Sequence, residues 1–275
     1  MLFARLQLDS FDDEMDSFFN YWGEPFPTHV QWARLAITNI AALYQYNRKD
    51  SRLKEALRQG RREKREAEQE EPAAPIEETA DGDGVLPPSQ VTDTQETDMA
   101  NVDRAPEKFT NIPVDIRTDD HEDISLSKIV FEKSCLLAFN LLSEALNSGV
   151  SEMGSVIFVH VWFAFLAYSL RYQPVVRLLE RKIPWQELVE FLNDIHDEIQ
   201  NDFNMEEFSA PVLMEDIMMR GFEWSRKLFP KDWFENIDPV VEEIEDPNET
   251  CEARKQRILS LGIQISKVSS CCTLY

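Results

Sequence analysis

A row of carboxylates at helical spacing could bind a ligand, to judge from the residue types and their spacing. They recur at steps of one to four residues between positions 187 and 198, as Glu187, Glu190, Asp194, Asp197 and Glu198. Such a face would hold a divalent cation if a second element supplied further oxygen ligands. The sequence offers no convergent partner, and the spacing is typical of a solvated helix face. We therefore expect no metal site here.

Thiols, imidazoles and glycines are also arranged unfavourably for catalysis. The four cysteines, Cys135, Cys251, Cys271 and Cys272, form no CxxC pair, and the chain has only four histidines. Neither GxGxxG nor GxxxxGK occurs among the eight glycines. We expect no enzymatic activity, no cofactor and no small-molecule substrate. Reduced thiols fit a location in the cytoplasm, the nucleus or both.

Positive charge is concentrated between residues 48 and 65, although the whole chain carries a net charge of −23. This stretch holds nine Lys/Arg against three Asp/Glu. One interpretation is a patch that binds RNA or single-stranded DNA. The other is a solvated helix end that the following acidic segment neutralises, and the net charge favours it because an acidic chain repels phosphates. The cations that would contact nucleic acid are Arg48, Lys49, Arg52, Lys54, Arg58, Arg61 and Arg62.

Composition divides the chain into four segments. Residues 66–123 carry eighteen acidic against three basic residues and six prolines, which predicts disorder. The predicted segments are an N-terminal helical hairpin at 1–58, a disordered acidic linker at 59–123, a helical domain at 124–268 and a tail at 269–275. The linker could fold back on the basic stretch and mask it.

Hydrophobic periodicity predicts the helices of the hairpin. One helical stripe is made by Phe11, Met15, Phe18, Phe19 and Trp22. Thr28 is a suitable N-cap for a second helix. That second helix carries an apolar face made by Trp32, Leu35, Ala36, Ile40, Leu43 and Tyr44. Such hairpins stack in TPR-like α-solenoids and need a covering element.

Residues 124–207 contain the most apolar part of the chain. A buried helix is predicted from the apolar positions Ile129, Val130, Leu136, Leu137, Phe139, Leu141, Leu142 and Leu146. Residues 156–172 are apolar on every side, which predicts a central helix surrounded by others; a membrane span is the alternative, but the segment is short and contains His160. Two further helices are predicted to begin at Pro174 and Pro184. The predicted class is all-α.

Residues 211–268 carry a recognisable pattern. Its elements are Glu215-Asp216, Arg220-Gly221, Trp224, Trp233-Phe234, Arg254-Lys255, Arg257-Ile258-Leu259 and Leu261-Gly262. The pattern resembles the signature of the Est-type DNA/RNA-binding domain, a family of telomerase accessory subunits and nonsense-mediated mRNA decay factors. The likeness covers about 11–48 and 124–268. Met214 stands where the family's pattern has proline.

The resemblance implies a non-enzymatic helical adaptor whose partners are proteins of RNA-decay or telomerase complexes. Family members usually carry a phosphopeptide-binding region before this part, and some carry a nuclease module after it. We expect this chain to be a shortened member without either. Direct binding of RNA or single-stranded DNA is the alternative function, through 48–65 and outward-facing Arg254, Lys255 and Arg257.

Physical chemistry gives the signature a mainly structural role. Glu215 and Asp216 suit the first turn of a helix. Arg220 is expected to be partly buried against an acid. Trp224, Trp233 and Phe234 are expected to close a corner of the core, and the alternative is that these rings stack nucleobases.

Overall fold

The computed structural model describes residues 29–70, 120–199, 212–226, 228–230, 233–234 and 250–272. Within them the chain forms eight α-helices and a 3-10 turn at Gln45–Asn47, without a strand. The helices are α1 (His29–Leu43), α2 (Arg52–Glu70), α3 (Asp120–Asn147), α4 (Met153–Ser169), α5 (Gln173–Leu179), α6 (Trp185–Ile199), α7 (Met214–Met219) and α8 (Cys251–Cys272). The all-α prediction is confirmed, while TPR-like stacking stays a prediction. The predicted helix at 11–22 and the Thr28 cap lie outside the described residues.

Helix α4 is the centre of the fold. Every residue from Gly154 to Ser169 is buried, because α1, α3, α7 and α8 all pack against this helix. A helix that is apolar on every side must be covered on every side. The prediction of a central helix is therefore confirmed. Among the described residues, no helix combines the length and apolarity that a membrane crossing requires.

The predicted segment boundaries differ from the observed ones. Helix α2 continues to Glu70 and α3 begins at Asp120, so the predicted linker at 59–123 is helical at both ends, and its middle lies outside the described residues. Helix α2 persists because its later acids pair with its bases, as in Arg62–Glu66 and Lys64–Glu68. Helix α8 likewise reaches Cys272, into the predicted tail.

Buried side chains of the predicted hairpin and of the C-terminal helices pack in one hydrophobic cluster. Buried side chains of α1 and α2 belong to the same hydrophobic cluster as those of α3, α4, α5, α6 and α8. Trp32 of α1, for example, meets Phe158 of α4 edge to face at 6.2 Å between ring centroids. In the described residues, side chains from both sides of residue 58 therefore pack in one cluster, and the division into domains stays a prediction.

Gly154 and Gly262 are two of the glycines at which helices approach closely. A Cβ atom on Gly154 of α4 would lie 2.1 Å from Nε1 of Trp32, and one on Gly262 of α8 would lie 2.8 Å from Cδ1 of Leu192 on α6. The indole is a rigid, buried ring, whereas the leucine methyl is the end of a flexible, partly buried side chain. The first contact therefore tolerates far less change than the second.

We predict that Gly154→Ala destabilises the fold by roughly 1–3 kcal/mol through overpacking, in spite of the better helix propensity of alanine. Gly262→Ala is the matched control, because it gains the same propensity but meets a side chain that can move. Urea unfolding of both variants measures the difference. Equal losses in the two variants would contradict the proposed steric origin.

Candidate functional site

The acidic pair of the signature lies inside the protein. Glu215 and Asp216 occupy the first turn of α7, and both are buried. Asp216 reaches back to cap its own helix, because Oδ2 accepts a hydrogen bond of 2.9 Å from the backbone N–H of Leu213. Buried carboxylates need charged partners. These partners come from α4 and α8.

Glu215 joins three helices through one carboxylate. Arg254 of α8 donates to it twice, from Nε to Oε1 at 2.6 Å and from Nη2 to Oε2 at 3.1 Å. His160 of α4 lies with Nδ1 2.9 Å from Oε1, and since a carboxylate only accepts, Nδ1 carries the proton. Arg254 also donates from Nη1 to the Thr250 hydroxyl at 2.7 Å. The prediction that His160 is a satisfied core group is confirmed.

A second pair lies beside the first. Arg257 of α8 donates from Nη1 to Oδ2 of Asp216, and its guanidinium stands 5.0 Å from the ring centroid of Trp233. Trp233 is half-buried and stacks on Phe229 at 6.2 Å between centroids. We call His160, Glu215, Asp216, Arg254 and Arg257 the ionic cluster.

Burial and charge act in opposite directions on the two acids. Burial alone would raise the pKa of Glu215, but the hydrogen bonds and charges of His160 and Arg254 outweigh it and lower the pKa to about 2. Burial raises the pKa of Asp216, and the charge of Arg257 only partly opposes that rise. Of the two buried acids, Glu215 is therefore the one whose ionised form the protein favours more strongly.

The ionic cluster corrects the expected orientation of the α8 cations. Arg254 and Arg257 are buried rather than outward-facing, because the buried acids of α7 require their charge. Lys255 pairs with Glu198 of α6 and is mostly covered. The three residues expected to bind nucleic acid on α8 are thus engaged within the fold.

The other signature residues divide between core and surface. Trp224, Leu261 and Gly262 are buried, and Gly221 ends α7 with a left-handed φ of 91°. Arg220 is exposed, not partly buried, and its guanidinium lies 5.2 Å from the ring centroid of Phe234. The two acids of the motif are not its partners within the described residues, because Glu215 pairs with Arg254 and Asp216 with Arg257.

Most cations of the 48–65 stretch have acidic neighbours. Arg48 pairs with Asp50, Arg58 with Glu55 and Arg61 with Glu223, while Arg52 lies 3.9 Å from Glu132. Lys49 is exposed and Lys54 lies half-buried beside α1. These pairs favour the interpretation as a neutralised helix surface. The neutralising acids come from α2 itself, as with Glu55, and from its neighbours, as with Glu132 of α3 and Glu223.

An open pocket lies beside this surface, and the sequence did not predict it. We call it the aromatic pocket; its volume is about 310 Å³. Its lining comes from α1, the turn after it, α2 and the loop after α7, as Ile37, Ile40, Ala41, Tyr44, Tyr46, Lys54, Phe222, Glu223 and Trp224. Phe222 stacks on the buried Trp224 at 5.6 Å and an interplanar angle of 16°, and Trp224 in turn meets Phe165 of α4 edge to face. Phe222 thus lies outermost in a ring stack that begins in the core.

A buried glutamine holds the turn that forms one wall of the pocket. Gln45 donates from Nε2 to the carbonyl of Ser127 at 2.9 Å, and its Oε1 accepts from the N–H of Arg52 at 3.1 Å. Gln45 and Tyr46 both have left-handed φ values, 49° and 50°, which side chains rarely adopt. The strained turn leaves the Tyr46 ring 52% exposed. No sequence signal marked this turn as special.

Groups for metal or thiol chemistry do not converge in the described part. No cluster of three or more His, Cys, Asp or Glu side chains suitable for a metal occurs there. Four members of the acidic face of α6 are exposed and Glu187 is half-buried, where it accepts a hydrogen bond from Ser143. Burial raises the pKa of the Cys135 thiol to about 12, which keeps it protonated.

Comparisons with known proteins found no similar protein. No protein-family model matches the chain, and neither the curated proteins nor the solved structures contain a significant match. The class defined here is therefore an all-helical protein with a buried ionic cluster. Its resemblance to the Est-type family is carried by the signature residues alone and stays a prediction.

We predict that Glu215 makes acid stability depend on pH in a specific range. Its lowered pKa means that its contribution is fully present above the ordinary value of 4.5 and is lost as pH falls towards about 2. The shift corresponds to roughly 3 kcal/mol. Glu215→Gln should be less stable at pH 7, and its free energy of unfolding should fall less steeply between these pH values.

Urea unfolding across that range tests the prediction. Glu198→Gln, which removes the exposed partner of Lys255, serves as the control because surface pairs contribute little. Parallel curves for the native chain and Glu215→Gln would contradict the role assigned to this carboxylate.

Proposed function

We propose that the chain is a non-enzymatic helical adaptor of the Est-type family that docks a peptide segment of a partner protein in the aromatic pocket. The resemblance supports partners from RNA-decay or telomerase complexes, in the nucleus, the cytoplasm or both. The observation that carries the proposal is the exposure of Tyr46 and Phe222, 52% and 39%, on the walls of one open pocket. Large exposed rings around a pocket are typical of docking sites.

The shape and composition of the pocket favour a peptide. Its volume of about 310 Å³ is at the lower end for small-molecule sites, and it suits one or two side chains of a bound segment. Tyrosine and tryptophan rings dock proline-rich segments, whose preformed extended helix costs little entropy to bind. Gln45 keeps the Tyr46 wall in place before binding, which lowers the cost of association further. We therefore expect a ligand rich in proline or aromatic residues.

We predict that peptide selection on the native chain and on a Tyr46→Ala/Phe222→Ala double variant gives different sequences. A displayed random-peptide library should yield proline- or aromatic-rich sequences on the native chain only. Synthetic versions should lose at least tenfold in affinity on the double variant, measured by fluorescence anisotropy, as expected when aromatic contacts are truncated.

Val189→Ala is the matched control, since Val189 is an exposed apolar side chain on α6 away from the pocket. Melting curves check that all variants fold. Selection of the same peptides by the native chain and the double variant would contradict docking in this pocket.

Binding of RNA or single-stranded DNA at the same place is the second candidate. It is favoured by one observation: Lys54 of the basic stretch lines the pocket, and Arg61 of that stretch pairs with Glu223 at its rim. Exposed rings beside cations form the usual platform for unpaired bases, and each stacked base contributes about 1–3 kcal/mol. The net charge of −23 opposes this function.

A salt titration with fluorescent single-stranded RNA and DNA separates the two functions. If the second one holds, affinity falls steeply with salt, and Lys54→Ala flattens the log–log slope by roughly 0.7 for the lost phosphate contact. Phe222→Ala should then weaken binding equally at all salt concentrations. Absence of binding at ~50 mM salt would eliminate nucleic acid as the ligand.

A further inference from the structure

A second cavity, independent of the proposed function, opens on the outer side of α3. We call it the basic groove; its volume is about 720 Å³. Its lining includes Lys128, Ile129, Lys133 and Leu136 of α3 and Arg181 and Lys182 of the turn before α6. It shares no lining residue with the aromatic pocket.

The apolar part of the groove is unusually exposed. Ile129 and Leu136 are 46% and 43% exposed, although the sequence predicted both to be buried. They lie seven residues apart on one face of α3, about 10 Å along the helix. Aliphatic side chains this exposed and this close together favour a covering segment.

Cations surround these two aliphatic residues. Lys128 and Arg181 make no ion pair within the described part of the chain, and Lys182 pairs with Glu132. Glu132 is also within 3.9 Å of Arg52, so its charge is shared. Lys128 and Arg181 therefore bring positive charge to the groove that no acid of the described part offsets, in a chain whose net charge is −23. The groove therefore selects for an acidic ligand with aliphatic residues.

We propose that residues 76–98 of the same chain occupy the basic groove. This segment, outside the described residues, holds seven acidic and no basic residues. Val85 and Leu86 stand between Asp83 and Asp93, so an aliphatic pair is flanked by carboxylates. The groove presents the complementary order, an aliphatic pair flanked by cations.

The connection to α3 makes this contact reachable. Residue 98 precedes the start of α3 at Asp120 by a segment of about 20 residues, which spans up to ~70 Å when extended. Lys128 lies only about 12 Å along the helix from Asp120. Residues 76–98 therefore reach the groove from their own covalent attachment.

The covalent attachment of residues 76–98 favours this segment over a separate acidic partner as the occupant of the groove. A short tether gives an effective concentration in the millimolar range. An acidic partner in solution must instead approach a chain of net charge −23 that repels it. The same segment also reaches α2, but the cations of α2 largely pair with acids of their own helix and its neighbours. The groove on α3 is the better acceptor.

The experiment uses a fluorescein-labelled peptide of residues 76–98 as the probe. It is titrated into the native full-length chain and into a full-length chain whose acidic segment is neutralised. The substitutions are Glu77→Gln, Glu78→Gln, Asp81→Asn, Asp83→Asn, Asp93→Asn, Glu96→Gln and Asp98→Asn. We expect the probe to bind the neutralised chain at least tenfold more tightly than the native chain, because the native segment competes for the groove.

Groove variants in the neutralised chain locate the contact. Lys128→Glu, Arg181→Glu and Leu136→Ser should each weaken probe binding at least tenfold. Arg62→Glu on α2 and Val189→Ser on α6 are matched surface controls and should leave it unchanged. Melting curves verify the fold of each variant.

Three results would overturn the proposal. Absence of probe binding to the neutralised chain at low salt would show that the groove does not accept this segment. Loss of binding in Arg62→Glu alone would assign the segment to α2. Equal affinity of native and neutralised chains would show that the groove is open in the native protein and serves a separate partner or a second copy.

Discussion

The buried pair between Glu215 and Arg254 is the interaction on which the described fold depends. Both side chains are fully buried, and transferring two charges from water costs several kcal/mol for each ion. Hydrogen bonds within the protein replace those to water that burial removes. Arg254 makes two to Glu215 and one to the Thr250 hydroxyl, and His160 makes one to Glu215. Such a pair adds little net stability over an apolar replacement, but breaking it leaves an uncompensated buried charge. We infer that its role is specificity: the carboxylates favour one position of α8 against α7.

Helix α4 makes this constraint necessary. A helix that is apolar on every side has no polar stripe to fix its rotation, so other helices could pack on it in several registers. His160 is the polar group that breaks this uniformity, because its ring must point where Glu215 can accept from it. The ionic cluster thus fixes α4, α7 and α8 relative to one another. The Trp233 ring covers Arg257 from the outside and shields the second pair from water.

The sequence predicted those features that follow from apolar periodicity. The central position of α4 and the start of α5 beside Pro174 follow from composition or local rules. The predicted outward direction of Arg254 and Arg257 is wrong, because the buried acids of α7 draw both side chains inward. Yet Arg254 precedes Ile258, Leu261 and Ile265 at helical spacing, so it lies on the buried stripe of α8. An arginine within an apolar stripe, and an acidic pair elsewhere, together form a signal of a buried ion pair.

Other features of the fold cannot be predicted from local sequence rules. The contact of Gln45 with Ser127 joins residues 82 positions apart, and it lies at the left-handed turn of Gln45 and Tyr46. The extent of α2 was missed since its composition resembles a linker while its charges alternate at helical spacing. Exposure of Ile129 and Leu136 depends on which neighbours reach α3, which periodicity does not reveal.

The signature connects the core to the surface through aromatic rings. Phe165 on the central helix meets Trp224 edge to face, and Phe222 then stacks on Trp224 at the wall of the aromatic pocket. Only one residue, Glu223, separates Phe222 from Trp224, and Gly221, with its left-handed φ, turns the chain immediately before them. A substitution at Trp224 would therefore disturb the core and the pocket together, whereas one at Phe222 would alter the pocket alone. Stability and binding can be separated in this motif because adjacent rings face different environments.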